Sequence, residues 1–445
     1  MTQASAPKTS ESFNLKDLAR DATVALTIQV VGVVLKYFVE VLLAQWMGKT
    51  EYGIYVSVIS WSLLLAIPAG LGLPQATLRL ISEYKVQENW GSLRGVVWGS
   101  LQLTLLASFL VCCGSTGGIF LLAHLGWLTY STLPFLIGIG MIPLQAFVKL
   151  QLDVARAIDD IVLAYIPSRL LWPGLVLLAG FVLLETHHSL SSSLMIGASS
   201  FMLLAALLFQ FWLLQEKVNR EIEPADPVYS WRGWLEVSLS LLLQVGIVEL
   251  LDRTDILMIS AWLGPEEAGI YSAAVRTALW VTFILQTFNM VAAPSFAALY
   301  AQKDIKGLQD IVSTVAIWIF WSSLTVALLL FVFARPILGI FGTEFMTASW
   351  DLRILILGQV VNCFCGSVGY LMAMTGHQNQ STKVFAWSAV MNIVGNAIAI
   401  PLFGRTGAAV TTSLTVMVWN IWLSFLVVKH VGIQASVFYR PTQSS

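Results

Sequence analysis

The chain has 445 residues, 57% of them hydrophobic and only 11% charged, with a formal net charge of −1. Soluble domains carry about 25% charged residues, so an ordinary soluble domain is excluded, and with no basic block a nucleic-acid partner is excluded too. Long apolar runs recur, each reaching the roughly 20 residues that cross a bilayer as a helix; continuous apolarity favours helices over a barrel.

The first 20 residues are polar and mixed in charge, without the apolar core or small-residue cleavage site of a signal peptide. The apolar run over 22–46 is expected to act as the insertion signal. Further spans are predicted at 52–73, 95–123, 132–152, 164–184 and 193–215, with Gly114-Ser115-Thr116-Gly117-Gly118 placed to kink the third or end it early. A polar stretch, 216–232, marks the one sharp change of composition in the middle of the chain. Six more spans follow at 234–263, 269–293, 311–333, 353–375, 384–402 and 407–428. The expected organisation is a cytoplasmic segment 1–20, a six-helix half 21–215, a linker 216–232 long enough to let the halves rock, a second half 233–428 and a tail 429–445.

Between the first two spans stands Gly48-Lys49-Thr50-Glu51-Tyr52-Gly53-Ile54-Tyr55, and 216 residues later the chain repeats it as Gly264-Pro265-Glu266-Glu267-Ala268-Gly269-Ile270-Tyr271. Trp46 and Trp262, Tyr84 and Tyr300, and Gly91 and Gly307 hold the same offset. Two halves built from one unit are implied. An even number of spans per half starts both on the same side and relates them by a pseudo-two-fold axis along the membrane normal. The fold class is therefore all-α: about twelve transmembrane helices in two six-helix bundles.

Lys and Arg set the orientation. With the N-terminus inside, 17 of the 24 fall in cytoplasmic segments, Lys149 and Arg169 among them, and 4 fall outside. Both termini are thus expected in the cytoplasm.

The other three, Lys36, Arg253 and Arg276, lie within spans, where a cation costs roughly 2.5–3.5 kcal/mol and belongs in a bundle interior or a wet cavity. Lys36 and Glu40 share a helix face with Gln29 and Gly32. In the seventh span Glu249, Asp252 and Arg253 cluster, with Asp255 just beyond. Lys36 and Asp252 are repeat mates, so the halves place opposite charges at one depth. The cations suit an anion; Glu40, Glu249, Asp252 and Asp255 suit an ion, a proton or charge balance. Arg276 has no acid four residues away and reads as a free anion-binding cation. Arg79, at the cytoplasmic end of the second span, reads as a positive anchor or as a group admitting an anionic headgroup.

No catalytic, metal or cofactor site is expected. Gly48-Lys49-Thr50 lacks the first glycine of a P-loop, where Leu43 stands; there is no G-x-S-x-G, H-E-x-x-H or D-x-D. His187-His188 has no further ligand at metal spacing, and Cys112, Cys113, Cys363 and Cys365 all lie in apolar runs.

The two glycine octets, Gly70-Leu71-Gly72-Leu73 followed by Arg79 and Ile81-Ser82-Glu83-Tyr84, and Asp252-Arg253 resemble the oligosaccharide flippases of bacterial polysaccharide synthesis, the O-antigen type included. Met374 to Gln378, Asn392 to Asn396 and Ile400 to Ala409 are similar to that family's C-terminal region; Met47 stands where a Leu is usual. The resemblance covers nearly the whole chain and places it in the multidrug, oligosaccharidyl-lipid and polysaccharide exporter superfamily. It implies alternating access around a central cavity and a cargo of isoprenoid-diphosphate-linked oligosaccharide. It also implies the inner membrane of a bacterium and work alongside polysaccharide or lipopolysaccharide polymerase machinery. An ion-coupled exporter of cationic drugs is the alternative on the same fold. A membrane polymerase or ligase would need a larger outer loop than the longest one here, about 334–352.

Overall fold

A backbone amide in lipid has no water to bond, so each crossing closes its hydrogen bonds within its own helix. The computed structural model describes residues 15–125, 132–187 and 189–437, and among them there are helices and no strand. Most of the expected N-terminal segment, His188 and the end of the expected tail lie outside the described residues.

The first half runs through α1 (Leu15–Gly70), α2 (Leu73–Val86), α3 (Trp90–His124), α4 (Leu133–Ile139), α5 (Met141–Ala157) and α6 (Ile161–Ile166). A π-helical turn at Pro167–Leu171 leads into α7 (Trp172–His187) and α8 (Ser192–Glu221). The second comprises α9 (Trp231–Trp262), α10 (Pro265–Ala301), α11 (Ile305–Val332), α12 (Ala334–Gly339), a 3-10 turn at Thr343–Ala348, α13 (Ser349–Cys365), α14 (Val368–Met374) and α15 (Gln378–Val431).

Among the described residues nine helical segments are long and apolar enough to cross a membrane, and the bent pair ending in α14 adds a tenth. Two of the nine are double. α1 is interrupted at Gly48 (φ 71°) and α15 at Gly404 (φ 64°), left-handed conformations that favour glycine. Counting each as two crossings gives the expected twelve. Gly264, the repeat mate of Gly48, has φ 97° and separates α9 from α10. The repeated glycine therefore ends the first crossing of each half.

Several expectations are corrected. α3 runs unbroken through Gly114–Gly118; the Ser115 and Thr116 hydroxyls donate to carbonyls one turn back, and no water competes for the helical bonds in lipid. The helices also overrun the apolar windows. Lys149 lies inside α5 and Arg169 in the π-helical turn, so both fall within candidate membrane spans and not in loops, as the windows 132–152 and 164–184 imply.

The linker is no loose tether. Residues 216–221 prolong α8, and the rest is strapped to α3. The Val228 amide donates to Gly91 O at 2.9 Å, and Arg94 donates to the Ile222 and Glu223 carbonyls at 3.0 and 3.1 Å. The strap lies flat because Gly91, Gly95 and Gly99 recur every fourth residue: a Cβ at Gly95 would stand 1.9 Å from Val228 O, and one at Gly99 2.3 Å from the Trp234 ring.

The packing divides by depth. A single large core at the level of the Gly48 and Gly264 turns, named outer (and the opposite level cytoplasmic) after the orientation expected from Lys and Arg, takes residues from both halves, from Val39, Tyr52 and Val58 to Tyr271, Phe341 and Ile400. At the cytoplasmic level there are two cores: one is built from the first half plus Trp234, the other from Ala292 to Ala435. The halves share one core at the level of the turns, while at the opposite level they meet through α9, where a Cβ on Gly72 would stand 2.2 Å from Ser238 O.

Candidate functional site: a charged cavity between the halves

The outer joint is made by the repeated octet packing on itself. A Cβ on Gly53 would fall 1.8 Å from Pro265 O, and one on its mate Gly269 would fall 2.7 Å from Lys49 O and 2.8 Å from Gly53 Cα. Only glycine lets the two backbones approach this closely. Lys49 Nζ reaches Glu266 at 2.7 Å and Glu344 at 3.5 Å. The octet glutamates each brace their own half: Glu51 accepts from the Ser192 amide at the start of α8, and Glu267 binds Arg405. Tyr55 and Tyr271 are buried mates, meeting Ser199 at 3.3 Å and donating to Asp255 at 3.0 Å.

The loop between α11 and α13 completes the seal. Phe341 and Phe345 are wholly buried; Phe341 meets Tyr37 edge-on at 5.6 Å and Phe345 meets Tyr52 at 6.0 Å. Gln45 donates to Ile340 O at 2.5 Å. The longest outer loop is thus a plug across both halves.

Below the seal the embedded charges gather. The face of α1 that carries Lys36 and Glu40 looks at the second half, since Glu40 Oε2 lies 3.0 Å from Arg276 Nε on α10. The Arg276 Nε–H is not aligned on that oxygen for a hydrogen bond. Tyr52 OH stands 3.5 Å from the same oxygen. Arg276, expected as a free cation, is therefore held by an acid from the other half, which spacing along its own helix does not reveal.

Glu249 takes Arg253 at 3.2 Å one turn along α9 and Lys149 of the first half, also at 3.2 Å. Lys36 is deep among charged groups, within electrostatic reach of Arg276, Glu40, Arg253 and Arg169, yet open to water. Asp252, its mate on the opposite wall, is open to water as well. Among the described residues neither has an ion-pair partner.

Asp255 differs from the other acids. It is buried and its donors are all neutral: Tyr271 OH, the Asn396 amide at 2.8 Å and the Thr412 hydroxyl. Arg79 stands apart, exposed on α2, whose Leu73, Ala76, Thr77, Leu80 and Ile81 form the buried stripe of an amphipathic surface helix. Two residues of the cavity, Lys149 and Arg169, went unread as site residues because each lies near the end of an apolar window. The signal that marks them is the length of the helices, not the hydropathy.

A family model described as polysaccharide biosynthesis protein matches residues 18–300, and the MatE model matches 241–398. A Haloferax volcanii protein described as a probable low-salt glycan biosynthesis flippase, Agl15, is 23% identical over 94% of this chain and 85% of its own length. Among solved structures, an inward-facing multidrug resistance MATE family transporter of the MOP superfamily superposes with a TM-score of 0.72 at 15% identity, over 92% of this chain and 98% of that one. The lipid II flippase MurJ in an inward closed conformation gives 0.70 at 15% identity, over 91% and 87%. With the first model covering well over half of its residues, the chain belongs to the polysaccharide biosynthesis protein family, a membrane transporter of flippase type on the MOP-superfamily fold and not an enzyme.

Proposed function

We propose that this protein flips an isoprenoid-diphosphate-linked oligosaccharide from the cytoplasmic to the outer leaflet by alternating access, supplying polysaccharide or lipopolysaccharide assembly of the O-antigen kind. The observation that supports the reading is the gathering of Lys36, Arg253 and Arg276 between the halves, with Lys149 beside them and the large shared core to one side. A diphosphate is the one strong charge such a cargo must carry, and cations in a site of low dielectric hold it by charge-assisted hydrogen bonds. Closing the cytoplasmic cores together and parting the outer joint would expose the site to the other leaflet.

The division of labour among the acids supports a coupling role for one of them. Glu40 and Glu249 balance cations, whereas Asp255 is buried with neutral donors alone and is the group best placed to take up a proton or a sodium ion. Asp252 balances charge across the cavity. Arg79, on the surface helix, meets anionic headgroups of the cytoplasmic leaflet. The membrane is the plasma (inner) membrane of a bacterium, both termini are cytoplasmic, and the polymerase machinery takes the product on the outer side.

The drug-exporter reading would need free acids in the cavity. Two of the four are committed to arginines, which favours the anionic cargo. The test is transport in proteoliposomes of an isoprenoid-diphosphate oligosaccharide, with and without proton and sodium gradients. Translocation lost in Arg253→Ala, and uncoupled from the gradient in Asp255→Asn, is the expected result. Efflux of an amphiphilic cation without lipid translocation would overturn the proposal.

A further inference from the structure

The π-helical turn at Pro167–Leu171 has a local cause. Pro173 has no amide to offer the Arg169 carbonyl four residues back, and the Trp172 amide bonds instead to Pro167 O, five residues back. Such turns re-aim side chains and occur often at functional sites. Here the turn leans on α1. A Cβ built on Gly32 would stand 3.1 Å from both Arg169 Cβ and Arg169 O.

Gly32 lies on the face of α1 that carries Lys36 one turn further and Glu40 two turns further, and Glu40 reaches the second half. Arg169 is thereby brought to the cavity wall beside Lys36, within its electrostatic reach. Both side chains are open to water, and among the described residues neither has an ion pair or hydrogen bond. The other three cavity cations each hold a carboxylate: Arg276 with Glu40, and Arg253 and Lys149 with Glu249. Gly32 is also 16 residues before the outer turn at Gly48, about 24 Å along the helix at about 1.5 Å per residue. Glu249, which holds Arg253 and Lys149, is 15 residues before Gly264 and so at a similar depth; what sets Arg169 and Lys36 apart is that no carboxylate engages them.

We propose that Arg169 and Lys36 form the initial docking pair for the anionic group of the cargo in the cytoplasm-open state. The arginine takes two oxygens of a diphosphate bidentately, and the lysine adds a mobile point charge. The paired cations, Arg253 and Arg276, engage only after their acids are released. The inference rests on the flippase reading for the lipid that carries the diphosphate, but its chemistry is shared by any diphosphate.

Binding of inorganic pyrophosphate and, separately, of an isoprenoid-diphosphate oligosaccharide to the purified protein in nanodiscs tests it. Arg169→Ala should weaken both roughly ten- to hundredfold, the worth of one or two charge-assisted hydrogen bonds. Arg169→Lys should recover part of the loss. Gly32→Ala keeps every charge and moves only the contact with the turn, so its weakened binding at an unchanged unfolding temperature separates positioning from folding, even where Arg169→Ala does not fold. Pyrophosphate bound by the wild type and lost in the variants, with no binding of the lipid-linked sugar, would keep the docking pair and sink the cargo. Equal affinities in all variants, or no binding of either ligand by the wild type, would overturn the pair.

Discussion

The outer and cytoplasmic levels of this molecule are built from the same twelve crossings and packed in opposite ways. Outside, one core crosses the boundary between the halves, glycine faces glycine, and two phenylalanines plug the seam. At the other level the packing is split between two larger cores, with Trp234 of α9 carrying the second half into the first of them. A continuous apolar core resists separation, whereas two cores with a charged, wet gap between them can approach or part with little loss of packing. Under the proposed alternating access, the outer joint is the element that must give way.

The comparison can be broken most severely at the ion pair that spans the cavity. Glu40→Ala leaves Arg276 partly buried without its acid, a change worth about 3–5 kcal/mol. We expect a lower unfolding temperature and, if the pair holds the halves together, partial recovery in the Glu40→Ala, Arg276→Met double variant. Additive losses would place the two residues in separate roles.

Next comes the plug. Phe345→Ala removes a fully buried ring, at a cost of about 3–5 kcal/mol. We expect reagents applied from the outer side to reach a cysteine introduced at Ser272, which is sealed in the wild type. Continued protection would mean that the seal does not depend on this loop.

A smaller and more local effect is expected at the octet. Gly53→Ala inserts a methyl where Pro265 O already stands, and overpacking of this kind costs about 1–3 kcal/mol. Transport should fall while the cytoplasmic level stays intact, and Gly269→Ala should behave alike because the contact is made by repeat mates. The smallest effect belongs to Lys49→Ala. Its bridge to Glu266 is partly exposed, so its contribution is small and should fade with added salt. A large, salt-independent loss would make it a gate rather than a trim.

Much of this was legible beforehand, for identifiable reasons. Gly48 and Gly264 stand out in the chain because a left-handed turn between apolar runs leaves few alternatives to glycine. Lys36, Arg253 and Arg276 stand out because lipid penalises charge. Arg276 reads as a free cation because no acid stands within a turn of it on its own helix, whereas its partner Glu40 is 236 positions away in the chain. Lys149 and Arg169 count with the cytoplasmic cations by the positive-inside reading although each falls inside a predicted span, 132–152 or 164–184, a few residues from its end. Phe341 and Phe345 lie in a segment that reads as an ordinary outer loop, and nothing local marks them as a plug. The linker reads by composition as the boundary between the halves, and what composition does not show is its contact with a glycine stripe on α3 far from it in sequence.

The sequence by itself determined the membrane solvent, the twelve crossings, the repeat and the set of embedded charges, because each follows from hydropathy, spacing or the cost of burying an ion along a single segment. Only the tertiary structure decided which charges are paired and which are free, which side of the cavity is shut, and that a π-helical turn delivers Arg169 to the wall. Those properties depend on distances between helices hundreds of residues apart, and no local preference of the chain specifies them.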